Sequence, residues 1–249
     1  MRRYGWVRLV SIASVGIILE VLCRRNVISR LILIPPSEML ASAWQILASG
    51  EINADLYFSL VNLAFAIGLS VVGGFLTGLA IYSVPLLRST LEPFLTSYSA
   101  VPPIVFYPML IVIFGLNRIP EIIIAVMFGL VPMAMNTING LYRIRPVFLK
   151  VGRAHRVSAF ASIVRIQLPA AAPYLFVGAT LAVSYSVIGV ISTEFILSAS
   201  GIGHQISFAY DNYDNRTMYG LVVLLLVIAT LLNTTLRLYS QRMLQRWTR

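Results

Sequence analysis

Six long apolar segments dominate this sequence of 249 residues, and each has about the length that spans a lipid bilayer. A spanning helix needs about 20 mostly apolar residues, because the hydrocarbon core of a bilayer is about 30 Å thick. Only 11% of the residues are charged, against roughly a quarter in an average soluble domain. The pattern therefore predicts an all-α integral membrane protein with about six transmembrane helices, at about 6–22, 56–82, 94–115, 120–141, 171–197 and 217–238.

The stretch between the first two spans has a different character. The dipeptide Pro35-Pro36 interrupts the chain, and the Ser-Glu pair after it is typical of a helix start. The helix that follows carries Trp44 and scattered apolar residues, which favours a position at the membrane interface over a spanning one. We expect an N-terminal helix with this interfacial segment over residues 1–55 and a membrane domain over residues 56–249.

The distribution of Arg and Lys predicts the orientation. If the N-terminus is cytoplasmic, 14 of the 19 cationic residues fall on the inner side of the predicted spans. Such an excess is the positive-inside rule, so both termini are expected in the cytoplasm. The formal charge of +10 does not indicate nucleic acid as a partner, because the cations lie at the ends of apolar segments and not in a patch with aromatic residues.

The chain lacks the residues that several kinds of chemistry require. Lys150 is the single lysine, and no Walker loop surrounds it, so ATP is not hydrolysed here by a P-loop. His155 and His204 have no acidic neighbours at metal-ligand spacing, and Cys23 is the single cysteine. We therefore expect no cofactor, no metal and no enzymatic activity.

Ionisable residues within the spans are also scarce. Glu20, Glu121 and Glu194 lie near the predicted outer ends of spans, whereas transporters driven by ions usually keep ionisable groups near mid-membrane. The sequence indicates a solute pathway that depends on another protein for energy. An ATPase-independent secondary transporter or channel is the alternative.

The loop at residues 142–169 lies on the predicted cytoplasmic side between the fourth and fifth spans. Apolar residues recur at spacings of three and four from Val151 to Leu168, which predicts one amphipathic helix that ends at Pro169. Such a helix can lie on anionic lipid or fit its apolar face into a groove on a cytoplasmic partner. These physical grounds leave both interpretations open.

Four segments together resemble a known family. The stretch "NTINGLYRIRPVFLKVGRAHRVSAFASIVRIQLPAAAPYLFVGA" is similar to the signature loop of binding-protein-dependent ABC importer permeases. The stretch "PPSEMLASAWQILASGE" resembles the family's Pro-Ser-Pro-type segment after the first span. Two others resemble the nitrate/sulfonate/taurine-type branch of the family: "LEPFLTSYSAVPPIVFYPMLIVIFGLNRIPEI" and "ISTEFILSASGIGHQI". The resemblance extends over residues 35–247 in order and without large gaps.

This resemblance implies a cytoplasmic coupling helix that docks on a separate ATPase subunit. The residues that occupy the positions of this helix and of the Leu-Pro that follows it are Lys150, Val151, Gly152, Arg153, Ala154, Arg156, Val157, Ser158, Leu168 and Pro169. Three of them depart from the family pattern, since Lys150 replaces Glu, Gly152 replaces Ala, and Arg156 replaces Gly. Either the ATPase has changed in compensation or coupling is impaired, and the intact apolar stripe favours compensation.

The resemblance also implies the partners and the location. It implies a bacterial inner-membrane homodimer with two ATPase subunits, a soluble solute-binding protein outside and lipid around the spans. The solute is expected to be a small anion such as a sulfonate, taurine or nitrate, or a thiamine-precursor-like molecule.

Residues of the third and fifth spans are candidates for the solute pathway, because prolines free carbonyl groups and hydroxyls supply polar contacts. These candidates are Tyr98, Ser99, Pro102, Pro103, Tyr107, Ser184, Tyr185, Ser186 and Ser192. Packing between helices is the alternative role for each of them. Glu194 is a candidate for periplasmic contact, either with the binding protein or with an outer arginine.

Overall fold

The computed structural model describes residues 3–98 and 101–247, and within these residues the chain is helical and has no strand. This confirms the predicted all-α class. A 3₁₀ turn covers Pro103–Phe106 and a π-helical turn covers Ile163–Gln167. The α-helices are α1 (Arg3–Arg24), α2 (Pro36–Ser49), α3 (Asn53–Ser83), α4 (Pro85–Tyr98), α5 (Tyr107–Phe114), α6 (Arg118–Tyr142), α7 (Pro146–Ala154), α8 (Ala159–Ser162), α9 (Leu168–Leu197), α10 (Ile202–Asp211) and α11 (Asn215–Trp247).

Four helical stretches are long and apolar enough to cross a membrane, within the part of the chain that the structure describes. They correspond to the second, fourth, fifth and sixth predicted spans. The first predicted span forms α1, which is not among the four, so a count of six is not reproduced. The four stretches are Asn53–Ser83, Arg118–Tyr142, Ala159–Leu197 and Asn215–Met243.

The third predicted span, at 94–115, is not a continuous helix, and that prediction is wrong. α4 ends at Tyr98, and α5 begins only after the 3₁₀ turn. Pro102 is extended, with ψ of 117°, and Pro103 opens the turn. Proline has no N–H to continue a helix and disfavours helical geometry in the residue before it, so the Pro-Pro pair separates the two helices.

The chain forms two compact units. One combines Met1–Phe58 with Phe195–Ile228, and the other combines Ser59–Glu194 with Ala229–Arg249. The predicted division into residues 1–55 and 56–249 stays a prediction.

In the first unit, α2 lies close against the start of α11. Its Ser42 hydroxyl donates to the Arg216 carbonyl at 2.8 Å, and a Cβ added at Gly220 would lie 2.6 Å from the same hydroxyl oxygen. The glycine at position 220 thus permits the close approach of α2 and α11.

Asp214 lies just before the start of α11 and accepts hydrogen bonds there. The Thr217 hydroxyl and the Thr217 backbone N–H hold the pKa of Asp214 below its ordinary value, because both donate to the carboxylate.

Asp55 holds the start of α10 in the same unit. One carboxylate oxygen accepts from the Gly201 N–H and the other from the Gln205 amide, each at 2.7 Å. Gly201 has φ of +107°, a backbone conformation that side chains rarely adopt. Asp55 therefore satisfies donors at an N-terminus that has no capping side chain of its own.

In the second unit, the close contact between α3 and α6 depends on glycines. A Cβ added at Gly74 would lie 2.6 Å from the Leu130 carbonyl oxygen, and one at Gly78 would lie 2.6 Å from the Ala134 carbonyl oxygen. Small residues allow the backbones of membrane helices to approach this closely. The two helices therefore meet backbone to backbone.

Candidate functional site

The helix α7 lies on the surface and exposes both apolar and basic side chains. It starts at Pro146, whose missing N–H costs nothing at a first helical position. Val147, Phe148 and Val151 are 63%, 48% and 50% exposed, although all three are apolar. Lys150 and Arg153 are exposed on the same short helix. α7 thus presents uncovered apolar area beside positive charge.

The end of α7 is a turn whose geometry favours glycine. The Val157 N–H donates to the Gly152 carbonyl and the Arg156 N–H to the Arg153 carbonyl, both at 3.0 Å. These two bonds form a Schellman motif, in which the residue after the C-cap adopts the left-handed region. Here that residue is Arg156, with φ of +54°. The family pattern has Gly at position 156, and the left-handed backbone conformation at this position is the one that Gly adopts most easily.

The single helix predicted from Val151 to Leu168 is wrong. α7 ends at Ala154, and Ser158 caps a new helix by accepting from the Ala161 N–H at 3.3 Å. This helix continues without a break to Leu197 and contains Pro169, which was predicted to end it. Pro169 removes the donor for the carbonyl four residues earlier, and the π-helical turn immediately before it accommodates that loss.

The ten predicted coupling residues therefore lie on three segments. One of them, Gly152, is buried, and a Cβ added there would lie 2.7 Å from Cδ1 of Ile166. The other members on α7 are Lys150, Val151, Arg153 and Ala154; those of the turn are Arg156, Val157 and Ser158; those of α9 are Leu168 and Pro169. Leu168 and Pro169 are half-buried, so the exposed members are those of α7 and of the turn, apart from the half-buried Val157.

A cavity of about 190 Å³ lies where α4, the 3₁₀ turn, α6 and α9 meet. Four predicted pathway residues line it: Tyr98, Pro102, Pro103 and Tyr185. The remaining lining residues are Val101, Met127, Phe128, Val131 and Pro132. Sequence reasoning missed those on α6, although Pro132 within a span was a signal that a helix carbonyl loses its donor.

The other predicted pathway residues that the structure describes do not line this cavity. Tyr107 is only 1% exposed, and Ser186 lies with its hydroxyl 3.1 Å from that of Ser70. Ser184 donates to the Asn233 side chain at 2.8 Å, and Ser192 is half-buried. The contacts of Ser184 and Ser186 agree with packing between helices, which is the alternative role, and the pathway role of these residues stays a prediction. Ser99 lies outside the described residues.

Two carboxylates are buried in the same unit. Ser59 donates to Glu194 at 2.7 Å, and Asn62 donates to Glu121 at 2.6 Å, with neither carboxylate more than 2% exposed. Tyr107 interacts electrostatically with both. Glu194 is buried in this structure, and its periplasmic contact stays a prediction. Asn62, a polar residue within an apolar span, was the signal for a buried partner.

No group of three or more His, Cys, Asp or Glu side chains that could hold a metal occurs in residues 3–98 and 101–247. The candidate functional features are therefore the surface of α7 and the cavity.

Comparisons with known proteins agree with this architecture. The putative aliphatic sulfonates transport permease protein SsuC of Bacillus subtilis (strain 168) is 24% identical over 245 residues, which cover 98% of this chain and 89% of that protein. The taurine transport system permease protein TauC of Escherichia coli (strain K12) is 24% identical over 242 residues, covering 94% and 88%.

A solved chain of the MetNI methionine ABC transporter in an inward-facing conformation shares the fold. Its TM-score is 0.65 at 21% identity, and the match covers 78% of this chain and 94% of that one. A family model described as the inner membrane component of binding-protein-dependent transport systems matches residues 70–249. Because that match covers well over half of the sequence, the chain belongs to the family of binding-protein-dependent transport system inner membrane components.

Proposed function

We propose that this chain is the permease subunit of an ATP-driven importer. It forms the pathway for a solute across the bacterial inner membrane, and ATP is hydrolysed on a separate ATPase subunit. Family membership and the ABC permeases among its relatives support this assignment. Both termini lie in the cytoplasm, which the excess of cationic residues on that side supports.

The surface of α7 is the observation that carries the proposal. The apolar side chains that α7 leaves exposed, on a loop outside the membrane, indicate a contact surface. Their burial against a partner is favourable, because it removes apolar surface from water. The adjacent Lys150 and Arg153 suit a partner with acidic residues at the rim of its groove. α7 is therefore the coupling helix, and its groove lies on the ATPase.

The mechanism follows from two such contacts in one assembly. Two copies of the chain form a dimer around one pathway, with an ATPase under each copy and a soluble binding protein outside. Closure of the ATPases on ATP moves both α7 helices, and the membrane helices turn the pathway outward. Hydrolysis resets the assembly, so the nucleotide site and the solute site are coupled through two global states.

Lys150 and Arg156 specify the partner. Lys150 has the opposite charge to the Glu of the family pattern, so an ATPase that binds this chain needs an acidic or neutral surface there. We expect Lys150→Glu to weaken ATPase binding, because it places like charges together. If Lys150→Glu binds the ATPase better than the natural chain does, the ATPase has not changed to accommodate Lys150.

The solute is a small molecule of the kind that the relatives' names indicate. Sulfonates and taurine are named for two of them, and nitrate for a permease of Leptolyngbya laminosa. Such an anion, or a thiamine-precursor-like molecule, is the proposed solute class.

Affinity purification of the whole chain from its own membranes tests the assignment. We expect a Walker-type ATPase to co-purify, to be lost from Val147→Asp, and to be retained by Val27→Asp. The two valines are a matched pair, because they are 63% and 68% exposed and only Val147 lies on α7. If Val147→Asp retains the ATPase while the bundle stays folded, α7 is not the coupling helix.

An ATPase-independent transporter is the second candidate, and the buried carboxylates favour it. Glu121 and Glu194 are ionisable groups within a bundle of membrane helices, where such groups often serve ion coupling. Uptake into liposomes that contain the chain without ATPase or ATP distinguishes the two. Uptake driven by an ion gradient supports the second candidate and contradicts the first.

A further inference from the structure

The lining of the cavity between α4, α6 and α9 indicates which solute chemistry it fits. We infer that the cavity binds a neutral or cationic aromatic ring that carries N–H donors, such as an amino-substituted heterocycle, in preference to a small anion. The inference rests on the proposed function, because it places this cavity on the solute pathway. It narrows the solute class, since it selects the heterocyclic possibility over sulfonate or nitrate.

The size of the cavity fits one ring. A cavity of about 150 Å³ lined by apolar side chains is large enough to bind benzene. The volume here is about 190 Å³, which adds room for one or two small substituents. Nitrate and methanesulfonate are smaller than a substituted ring and leave part of the walls without contact.

The walls present aromatic and thioether groups to such a ring. Tyr98 and Tyr185 contribute from α4 and α9, and Met127 and Phe128 contribute from α6. Aromatic rings attract other rings in stacked or edge-to-face arrangements, and a methionine sulfur is attracted to ring edges. The same aromatic faces attract cations. A flat solute therefore finds favourable partners on three of the helices that line the cavity.

The charges of the lining disfavour an anion. None of the nine lining residues that the structure describes is basic, and none is acidic. An anion that enters loses hydration and meets no positive side chain there, which is costly in an apolar environment. A neutral ring loses far less hydration, and a cationic ring is compensated by the aromatic faces.

The polar groups of the cavity suit a ring with N–H donors. Within the described residues, the hydroxyls of Tyr98 and Tyr185 make no hydrogen bond, so both remain available to a solute. Pro132 has no N–H to donate to the Phe128 carbonyl four residues earlier, and both residues line the cavity. An exocyclic amine donates to the Phe128 carbonyl and to the hydroxyl oxygens, whereas nitrate and sulfonate can only accept from the two hydroxyls and leave the carbonyl without a donor.

Ligand-observed saturation-transfer NMR on the full-length chain in lipid nanodiscs tests the inference. The probes are 4-aminopyrimidine, methanesulfonate and nitrate, with each anion used as a competitor. The variants are Phe128→Leu and Tyr185→Phe, which keep size while removing the ring or the hydroxyl. Their matched controls are Phe176→Leu and Tyr210→Phe, at positions outside the cavity.

We expect saturable binding of 4-aminopyrimidine that neither anion displaces. Phe128→Leu should weaken it about fivefold, because aromatic pairs are worth about 1 kcal/mol beyond buried area. Tyr185→Phe should weaken it less, and both controls should bind like the natural chain. The inference is overturned if 4-aminopyrimidine does not bind, or if the control variants lose as much affinity for it as the cavity variants. Displacement of 4-aminopyrimidine by methanesulfonate or nitrate also overturns it. None of these results depends on an ATPase, so the importer assignment stands or falls separately on co-purification.

Discussion

Gly152 in α7 and Gly78 in α3 both allow a close contact, but of two different kinds. A Cβ at Gly78 would lie 2.6 Å from the backbone carbonyl of Ala134, which has no freedom to move away. A Cβ at Gly152 would meet only the flexible end of Ile166, at 2.7 Å. α3 is thus fixed to α6 by backbone contact, whereas the close contact at Gly152 is with the end of one side chain.

This difference separates the closely packed scaffold from the surface helix that we propose contacts an ATPase. In the membrane, helices are held by close packing, because lipid tails are as apolar as the side chains themselves. On α7, 63% of Val147, 48% of Phe148 and 50% of Val151 are exposed, so about half of the surface of these side chains remains for another molecule to cover. Leu149 of the same helix packs against the buried cluster of Leu141, Ile144 and Ala171, so α7 is anchored on one side and open on the other, as the proposed coupling contact requires.

Overpacking of the scaffold should have the largest effect. Gly78→Leu should lower the free energy of unfolding by about 3 kcal/mol, because the added atoms force α3 and α6 apart. Gly68→Leu is the matched control in the same helix, since a Cβ at Gly68 meets nothing within 4 Å. Denaturant unfolding of both variants in detergent measures the difference. Equal losses would show that α3 and α6 are not in backbone contact.

Loss of a buried hydrogen bond should have the next largest effect. Asn62→Leu removes the donor that lies 2.6 Å from Glu121, and it should lower the free energy of unfolding by about 2 kcal/mol. The double variant with Glu121→Leu should recover at least half of the loss, because no carboxyl remains to be satisfied. A double-mutant cycle by denaturant unfolding checks this. Additive losses would mean that the two side chains do not interact.

Relief of the turn after α7 should have the smallest effect and the opposite sign. Arg156→Gly should raise the free energy of unfolding by about 0.5–1 kcal/mol, since Gly adopts φ of +54° without steric cost. Arg153→Gly is the control, and it should lower stability by about 1 kcal/mol because it lies within the helix. Thermal unfolding of both variants tests this, and destabilisation by Arg156→Gly contradicts the turn geometry.

Local features of the sequence predicted much of the fold. The apolar segments located the four spanning stretches, and Pro35-Pro36 located the start of α2 within a residue. The break at Pro102-Pro103 was not foreseen as a break in the helix, although the prolines were singled out as pathway candidates. Four of the nine described cavity residues were predicted, because prolines and tyrosines in spans suggest a cavity before any packing is known.

Features that depend on distant contacts could not be predicted. Glu121 and Glu194 lie near helix ends, where exposure is the simplest expectation, and their burial requires α3 to supply Asn62 and Ser59. The turn at Arg156 was hidden because a left-handed arginine is uncommon and the apolar stripe continues across it. Periodicity cannot detect one residue in a different conformation.

Site-specific cross-linking from α7 tests most directly the claim that α7 contacts an ATPase. The chain has one cysteine, Cys23, so Val151→Cys in a Cys23→Ser background carries a single label. A photoreactive maleimide at position 151 should form an adduct with a Walker-type ATPase in native membranes, whereas the same label at position 27 should not. An adduct from position 27 alone, or adducts only with lipid from position 151, contradicts the claim.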